Sequence, residues 1–117
     1  MKIVYIAGPY RASTGVEVRA NIQRAQDVQA QLLRLGFAPI CPHTMTAQFE
    51  YLFPDIEDTA YLDSDLEFLR RSDAVLMLPG WEKSEGSCQE RLEALADIIP
   101  VYFSIEELQA RETEVAS

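Results

Sequence analysis

A glutamate near the start of a predicted helix has the chemistry of a nucleophile. Glu90 follows a buried strand, and in a parallel sheet this end of the strand faces the ligand crevice. Its carboxylate could attack or stabilise an electron-poor carbon. A structural role is also visible, because Ser87-x-x-Glu90 spells a capping box in which Glu90 bonds back to the Ser87 amide. Spacing alone favours the cap.

A second carboxylate lies on an otherwise apolar stripe. Asp65 comes three residues after Leu62 and four before Leu69, which places all three on one helix face. An aspartate is seldom buried unless it is paired or functional. The spacing also fits a position at the edge of the stripe that reaches solvent, or an ion pair with Arg70 or Arg71, and it leaves these alternatives open.

Four residues in predicted loops could contact a ligand. Gly8 lets the backbone approach closely after the first strand, where Tyr10 could bond a carboxylate or sugar and Arg11 a phosphate. The alternative there is a proline-containing turn with an exposed arginine. His43 could contact a base or phosphate, or simply satisfy a loop carbonyl.

Trp81 follows the third strand, and its flat ring could stack on a nucleobase. Packing beneath its own loop is at least as good an interpretation.

Four short apolar runs predict the strands that position these residues. Runs that are apolar on both faces are typical of a parallel sheet covered by helices. Pro39 within the second run predicts an edge strand. The runs are Ile3–Ala7, Phe37–Cys41, Ala74–Leu78 and Ile98–Phe103.

Helical patterns separate these runs. An amphipathic stripe extends from Val18 to Leu35, with a capping box at Thr14-x-x-Glu17 and a stop at Gly36. Further helices are predicted near 46–52, 58–71 and 87–97. Strand–helix alternation with right-handed crossovers predicts a three-layer α/β domain over residues 1–104. Residues 105–117 are rich in glutamate and small residues, and we expect a helical tail that frays.

Charge and composition exclude several classes of protein. The 117 residues carry 10 basic and 19 acidic groups, a net charge of −9. An acidic surface repels a polyphosphate backbone, which argues against a nucleic acid polymer as partner. The chain has no run of about 18 apolar residues, so we expect no membrane span. Two cysteines and one histidine offer no metal site, and the free thiols indicate a cytoplasmic protein.

Taken together, five fragments resemble a known family. They are Ile6-Ala7-Gly8-Pro9-Tyr10, Cys41-Pro42-His43, Ser64-Asp65-Leu66, Arg71-Ser72-Asp73-Ala74-Val75 and Leu78-Pro79-Gly80-Trp81-Glu82-x-Ser84-x-Gly86-x-x-x-Glu90. Their order and spacing resemble the nucleoside 2-deoxyribosyltransferase-like superfamily over roughly residues 2–101. The last fragment looks most like its small bacterial and phage members.

The resemblance implies a single Rossmann-like (flavodoxin-like) domain with a short parallel sheet of four to five strands. It implies a homodimer or higher homo-oligomer that cleaves the N-glycosidic bond of a (deoxy)nucleoside or nucleoside 5′-monophosphate without a metal or cofactor. The nucleophilic glutamate of the family corresponds to Glu90, and its second catalytic carboxylate to Asp65. The residues expected to bind the substrate are Gly8, Tyr10, Arg11, His43, Trp81, Ser84, Gly86 and Ser87.

One departure from the family pattern bears on the reaction. The transferases resemble each other in having an aspartate six residues before the glutamate, where this chain has Ser84, as the related nucleotide N-hydrolases do. Hydrolysis with release of the free base is therefore favoured over base exchange. Two alternatives stay open, namely a nucleoside 2-deoxyribosyltransferase and a non-catalytic nucleotide-binding module. Cleavage of an NAD-like dinucleotide is disfavoured, because the chain has no glycine loop that would cradle a diphosphate.

Overall fold

Four parallel strands form the sheet of the computed structural model, which describes residues 1–114. They are β1 (Ile3–Ala7), β2 (Ala38–Ile40), β3 (Ala74–Met77) and β4 (Val101–Tyr102). The order across the sheet is β2-β1-β3-β4, so β2 is the predicted edge strand. The connections change direction between β1 and β3, and in sheets of this kind ligands bind outside the carboxyl ends of the strands at that point.

Helices form the connections between the strands and cover both faces of the sheet. They are α1 (Gly15–Arg34), α2 (Pro42–Met45), α3 (Phe49–Leu52), α4 (Asp58–Arg70), α5 (Glu85–Ala96) and α6 (Ile105–Glu114), with a 3₁₀ turn at Trp81–Lys83. The predicted cap of α1 is confirmed, because the Thr14 side chain accepts a hydrogen bond from the Glu17 amide at 3.2 Å. Gly36 follows the helix at φ +89°, as its predicted stop requires.

The two faces of the sheet bury alternate residues of each strand. Val4 and Ile6 of β1 pack with Leu32 of α1 and Leu108 of α6 on one face. Tyr5 packs on the other face in a cluster with residues of α4 and α5. The predicted three-layer α/β architecture is therefore confirmed, and each fully buried leucine contributes about 1.5–3 kcal/mol to it.

Two predicted elements are shorter than expected. The helix predicted near 46–52 is the single turn α3, which begins only at Phe49 because Gln48 before it has φ +67°. The last strand, which the sequence predicts over Ile98–Phe103, spans Val101–Tyr102. Ile98 has φ +57° and takes the left-handed position that ends α5, so it cannot begin a strand.

The segment expected to fray after residue 104 is helical and docked. Helix α6 places Leu108 completely inside the core. Glu112, also buried, accepts a hydrogen bond from the Tyr102 hydroxyl at 2.5 Å and pairs with Lys2 at 3.1 Å. These contacts contradict fraying up to Glu112. Residues 115–117 of the predicted tail lie outside the described residues.

Candidate active site

Helices α4 and α5 bring the two candidate carboxylates together over β1. The Tyr5 hydroxyl, from the middle of β1, donates a hydrogen bond to Oε2 of Glu90. Glu90 is only 8 % exposed. Asp65 of α4 is near enough for its charge to act on both Glu90 and Tyr5. The three residues form one polar cluster beneath two helices, and we call it the Tyr5–Asp65–Glu90 cluster.

The capping role considered for Glu90 is wrong. Helix α5 begins at Glu85, and its N-cap is Ser84, whose hydroxyl accepts from the Ser87 amide at 3.3 Å. Glu90 is therefore in the second turn, where backbone amides are already bonded within the helix. Its side chain turns to the sheet and bonds to Tyr5 instead.

Burial shapes the electrostatics of the cluster. Loss of solvent and the nearby charge of Asp65 raise the pKa of Glu90 to about 7, although the hydrogen bond from Tyr5 opposes the rise. Loss of solvent alone raises the pKa of Asp65 to about 6. Burial, then Glu90 and Asp65, raise the pKa of Tyr5 so far that it remains a hydrogen-bond donor. Such perturbed pairs of carboxyl groups are typical of catalytic sites.

The ion-pair alternative for Asp65 is not met in the part of the chain that the structure describes. Arg71 bonds to Glu67 at 3.0 Å, and Arg70 bonds to Glu93 at 2.9 Å. Asp65 is instead partly buried on the inner side of α4, as its place on the apolar stripe suggested.

The start of α5 contains the three other small residues predicted for the site. Ser87 is 1 % exposed, and its hydroxyl donates to the Ser84 hydroxyl at 2.9 Å. Ser84 is thus occupied by the helix cap. Gly86 is exposed, and a Cβ added there would meet nothing within 4 Å.

Gly8 and His43 fix the loop that follows β1. A Cβ on Gly8 would lie 2.8 Å from Cβ of Leu78, so this strand end tolerates only glycine without a shift. Nε2 of His43 lies 2.8 Å from the Gly8 carbonyl and 2.9 Å from the Pro9 carbonyl. A ring nitrogen between two carbonyl oxygens must be the N–H donor, so His43 satisfies loop carbonyls, one of its two predicted roles.

Tyr10 and Arg11 are engaged with neighbouring acids. The Tyr10 hydroxyl donates to Oε1 of Glu50 at 2.9 Å and accepts from the Gln48 amide at 2.8 Å. The Arg11 guanidinium donates hydrogen bonds to both carboxylate oxygens of Asp58, at 2.6 and 3.3 Å. These contacts tie the β1 loop to α3 and α4.

Trp81 contacts Phe103, which follows β4, and Arg91 of α5. Its ring centroid is 5.6 Å from that of Phe103, and the Arg91 guanidinium lies 5.4 Å from the Trp81 ring. The ring also packs against the core cluster that contains Tyr5. These contacts match the packed alternative, and within the described residues no hydrogen bond joins Trp81 to Asp65 or Glu90.

A cavity of about 360 Å³ opens beside the β1 loop. Its walls include Arg11, Glu50, Tyr51, Asp58 and Tyr61. Asp65 and Glu90 do not line it. We call it the α3–α4 cavity.

Three residues that the structure makes prominent are absent from the predicted site. Tyr5 belongs to a predicted strand, where it carries the only hydroxyl in the run Ile3–Ala7. That polar tip in a buried strand was a usable signal, because a buried tyrosine hydroxyl needs a partner. Glu50 and Tyr61 gave no such signal, since their roles depend on how α3 and α4 fold over the β1 loop.

The described residues contain no group of three His, Cys, Asp or Glu side chains that could hold a metal ion. Within the same residues, no helix is both long and apolar enough to cross a bilayer.

The fold places the chain in the class of doubly wound α/β domains that includes deoxyribosyltransferases. It resembles a 2-deoxyribosyltransferase from Bacillus psychrosaccharolyticus at 20 % identity and a TM-score of 0.56, over 85 % of this chain and 69 % of that one. It resembles a 2-desoxiribosyltransferase from Leishmania mexicana at 19 % identity and a TM-score of 0.61, over 86 % of this chain. This chain spans 62 % of the Leishmania protein, and the likeness to both establishes a shared fold.

The chain belongs to the family described as Domain of unknown function (DUF7768), which it matches over residues 2–104. A comparison with curated proteins finds no match.

Proposed function

We propose that the protein hydrolyses the N-glycosidic bond of a (deoxy)nucleoside or nucleoside 5′-monophosphate, with Glu90 as nucleophile and Asp65 as the second carboxylate. The observation that carries the proposal is the Tyr5–Asp65–Glu90 cluster, in which two carboxyl groups with raised pKa lie together. The two enzymes that share the fold are named for deoxyribosyl transfer, which begins with cleavage of the same bond.

The chemistry follows from the two carboxylates. The ionised Glu90 bonds to the anomeric carbon of the sugar while the bond from that carbon to the base nitrogen breaks. The electron pair leaves with the base, and Asp65 supplies or relays the proton that the base takes up. Water then attacks the same carbon, releases the sugar and restores the Glu90 carboxylate, as in retaining glycosidases.

Tyr5 positions the nucleophile. Its hydroxyl bonds to Oε2 of Glu90, and Oε1 has no hydrogen bond within the described residues. The bond therefore fixes the carboxylate and leaves one oxygen for attack. It also favours the charged form of Glu90, which the reaction needs.

Base exchange is the second candidate, and the names of the two fold relatives favour it. Here a free base, rather than water, attacks the anomeric carbon. The serine at position 84 favours hydrolysis through the resemblance to N-hydrolases, but its hydroxyl serves as the cap of α5. The acceptor must therefore be decided by assay.

The deciding experiment measures release of the free base by chromatography. The substrates are ribo- and deoxyribonucleosides and their 5′-monophosphates, and a purine nucleoside with a free pyrimidine reports exchange. Glu90→Ala and Glu90→Gln should abolish turnover, while Glu85→Gln removes an exposed carboxylate from the same helix and should retain it. Turnover by the Glu90 variants would overturn the mechanism, and binding without turnover by the wild type would favour the non-catalytic module.

The predicted homodimer or higher homo-oligomer stays a prediction. Three apolar side chains on or just after α5 support it, since Leu92, Leu95 and Ile98 are 61, 52 and 90 % exposed. Light scattering after size exclusion would measure the mass directly. The cytoplasmic location also stays a prediction, based on Cys41 and Cys88, which are free thiols.

A further inference from the structure

The α3–α4 cavity has the size of a small-molecule site. Its volume of about 360 Å³ falls within the range of about 300–1,000 Å³ that ligand pockets occupy. Nothing in the proposed catalytic step uses it, because Asp65 and Glu90 do not line it. It does, however, share helix α4 with the proposed site. Tyr61 in its wall precedes Asp65 by four residues, one helical turn and about 6 Å on the same face.

The polar groups of the cavity are mostly acceptors. Oε1 of Glu50 accepts from Tyr10, and Oε2 makes no hydrogen bond within the described residues. Arg11 is the only cation in the walls, and both oxygens of Asp58 already hold it. The cavity therefore offers a carboxylate oxygen to a ligand and no unpaired positive charge.

A buried hydroxyl in the wall lacks a partner. The Tyr61 hydroxyl is out of contact with solvent and makes no hydrogen bond within the described residues. It lies in the electrostatic field of Glu50 and Asp58. A buried hydroxyl without a partner costs free energy. A ligand in the cavity reaches this hydroxyl only if the Tyr61 ring turns toward it, and the new hydrogen bond would then recover part of that cost.

The remaining walls suit a flat ring. Tyr51 presents an aromatic ring that is 67 % exposed, and Pro54 and Ile56 add apolar surface. Aromatic rings stack on any nucleobase, because every base has a flat π-face. The Tyr51 ring would therefore supply affinity, and the polar groups would supply selectivity.

We propose that the α3–α4 cavity receives the base of the substrate and selects bases with an exocyclic amino group, with Glu50 as the acceptor. The link to the sugar rests on the proposed function, which places the anomeric carbon at Asp65 and Glu90. An amino group on adenine or cytosine donates to a carboxylate, and the adjacent ring nitrogen can accept from the Tyr61 hydroxyl. Hypoxanthine and uracil carry a carbonyl oxygen in place of the amino group. This oxygen would face the Glu50 carboxylate, and no hydrogen bond would form because both atoms are acceptors.

The test is calorimetric binding of two matched pairs to the full-length Glu90→Gln protein, which should not turn them over. The pairs are 2′-deoxyadenosine with 2′-deoxyinosine and 2′-deoxycytidine with 2′-deoxyuridine. Loss of a hydrogen bond to a charged group predicts at least about tenfold weaker binding of the keto member of each pair. In a Glu50→Gln background the preference should vanish or reverse, because the amide keeps an oxygen for Tyr10 and offers an N–H to the base.

Glu57→Gln is the matched control, since it removes the same charge from an exposed residue that does not line the cavity. It should leave the preference unchanged. Equal affinity within each pair, no binding of either member, or equal effects of the Glu50 and Glu57 variants would overturn the proposal. Selective binding without base release by the wild type would instead overturn the proposed function alone, and base release without selectivity would overturn the cavity proposal alone.

Discussion

The charge on Glu90 destabilises the fold, so a neutral replacement should stabilise the protein at alkaline pH. Burial and then the nearby Asp65 raise the pKa of Glu90 from its ordinary 4.5 to about 7. Between these values the folded protein holds a proton that the unfolded chain has released. The stability contributed by this proton is fully present below pH 4.5 and is lost as the pH rises through 7.

The magnitude follows from the two pKa values. Their difference of about 2.5 corresponds to about 3 kcal/mol, at about 1.4 kcal/mol for each pKa unit. Most of that amount, about 2.5 kcal/mol, should be lost by the wild type between pH 5 and pH 8. Glu90→Gln keeps an oxygen that accepts from Tyr5 but cannot ionise. Its stability relative to the wild type should therefore rise by about 2–3 kcal/mol over this interval.

Urea unfolding at pH 5 and pH 8 measures the effect, with fluorescence of Trp81, the single tryptophan, as the signal. Comparison of two proteins at the same pH cancels the titration of the other groups. Glu85→Gln, which removes an exposed carboxylate from the same helix, should stay within about 0.5 kcal/mol of the wild type at both pH values. If Glu90→Gln and the wild type showed the same pH dependence, the assignment of a buried, destabilising charge would be refuted.

Three further changes test other contacts. Tyr5→Phe removes the bond that lowers the pKa of Glu90, so the rise of kcat/KM with pH should move to higher pH, and an unchanged midpoint would contradict the contact. Ile98→Gly relieves a branched side chain at φ +57° and should raise the unfolding free energy by up to about 1 kcal/mol in urea, whereas Ile98→Ala should gain less. Leu108→Ala should cost about 2–5 kcal/mol in the same assay, and a cost near zero would mean that α6 is not docked.

The layers of the fold were predictable because they depend on local pattern. Runs that are apolar on both faces require helices on both sides of the sheet, and an amphipathic stripe such as Val18–Leu35 supplies one. Failures occurred where a single residue departed from the preference of its type. Ile98 adopts a left-handed conformation that branched residues rarely take, so no propensity argument would have ended α5 there.

The site was predictable only in part. Asp65 was visible as an acid on an apolar stripe, and the structure keeps it partly buried near Glu90. The cap at Ser84 could not be predicted, because it depends on where α5 begins. The ion pair of Arg11 with Asp58 could not be predicted either, because the two residues are 47 positions apart in the sequence. Local spacing thus identified a carboxylate on an apolar helix face, but the partners that decide the chemistry of the site residues come from distant parts of the chain.

His43 should change the stability with pH in the opposite direction from Glu90. Its Nε2–H donates to the carbonyls of Gly8 and Pro9, and Nδ1 is buried without a partner in the described residues. Burial lowers the pKa of His43 below its ordinary 6.5, so the unfolded chain takes up a proton that the folded protein does not. The stability that depends on the neutral ring is present above pH 6.5 and is lost as the pH falls through the lowered pKa.

The variant His43→Gln separates this effect from the loss of contacts. Its amide can donate to one of the two loop carbonyls but cannot titrate, so at pH 7.5 it should be about 1–3 kcal/mol less stable than the wild type. On acidification to pH 5 the wild type should lose stability through His43 while the variant does not, and the gap between them should narrow. A gap that stayed constant would mean that the ring is not buried as a neutral donor, and that the β1 loop is held in place by other contacts.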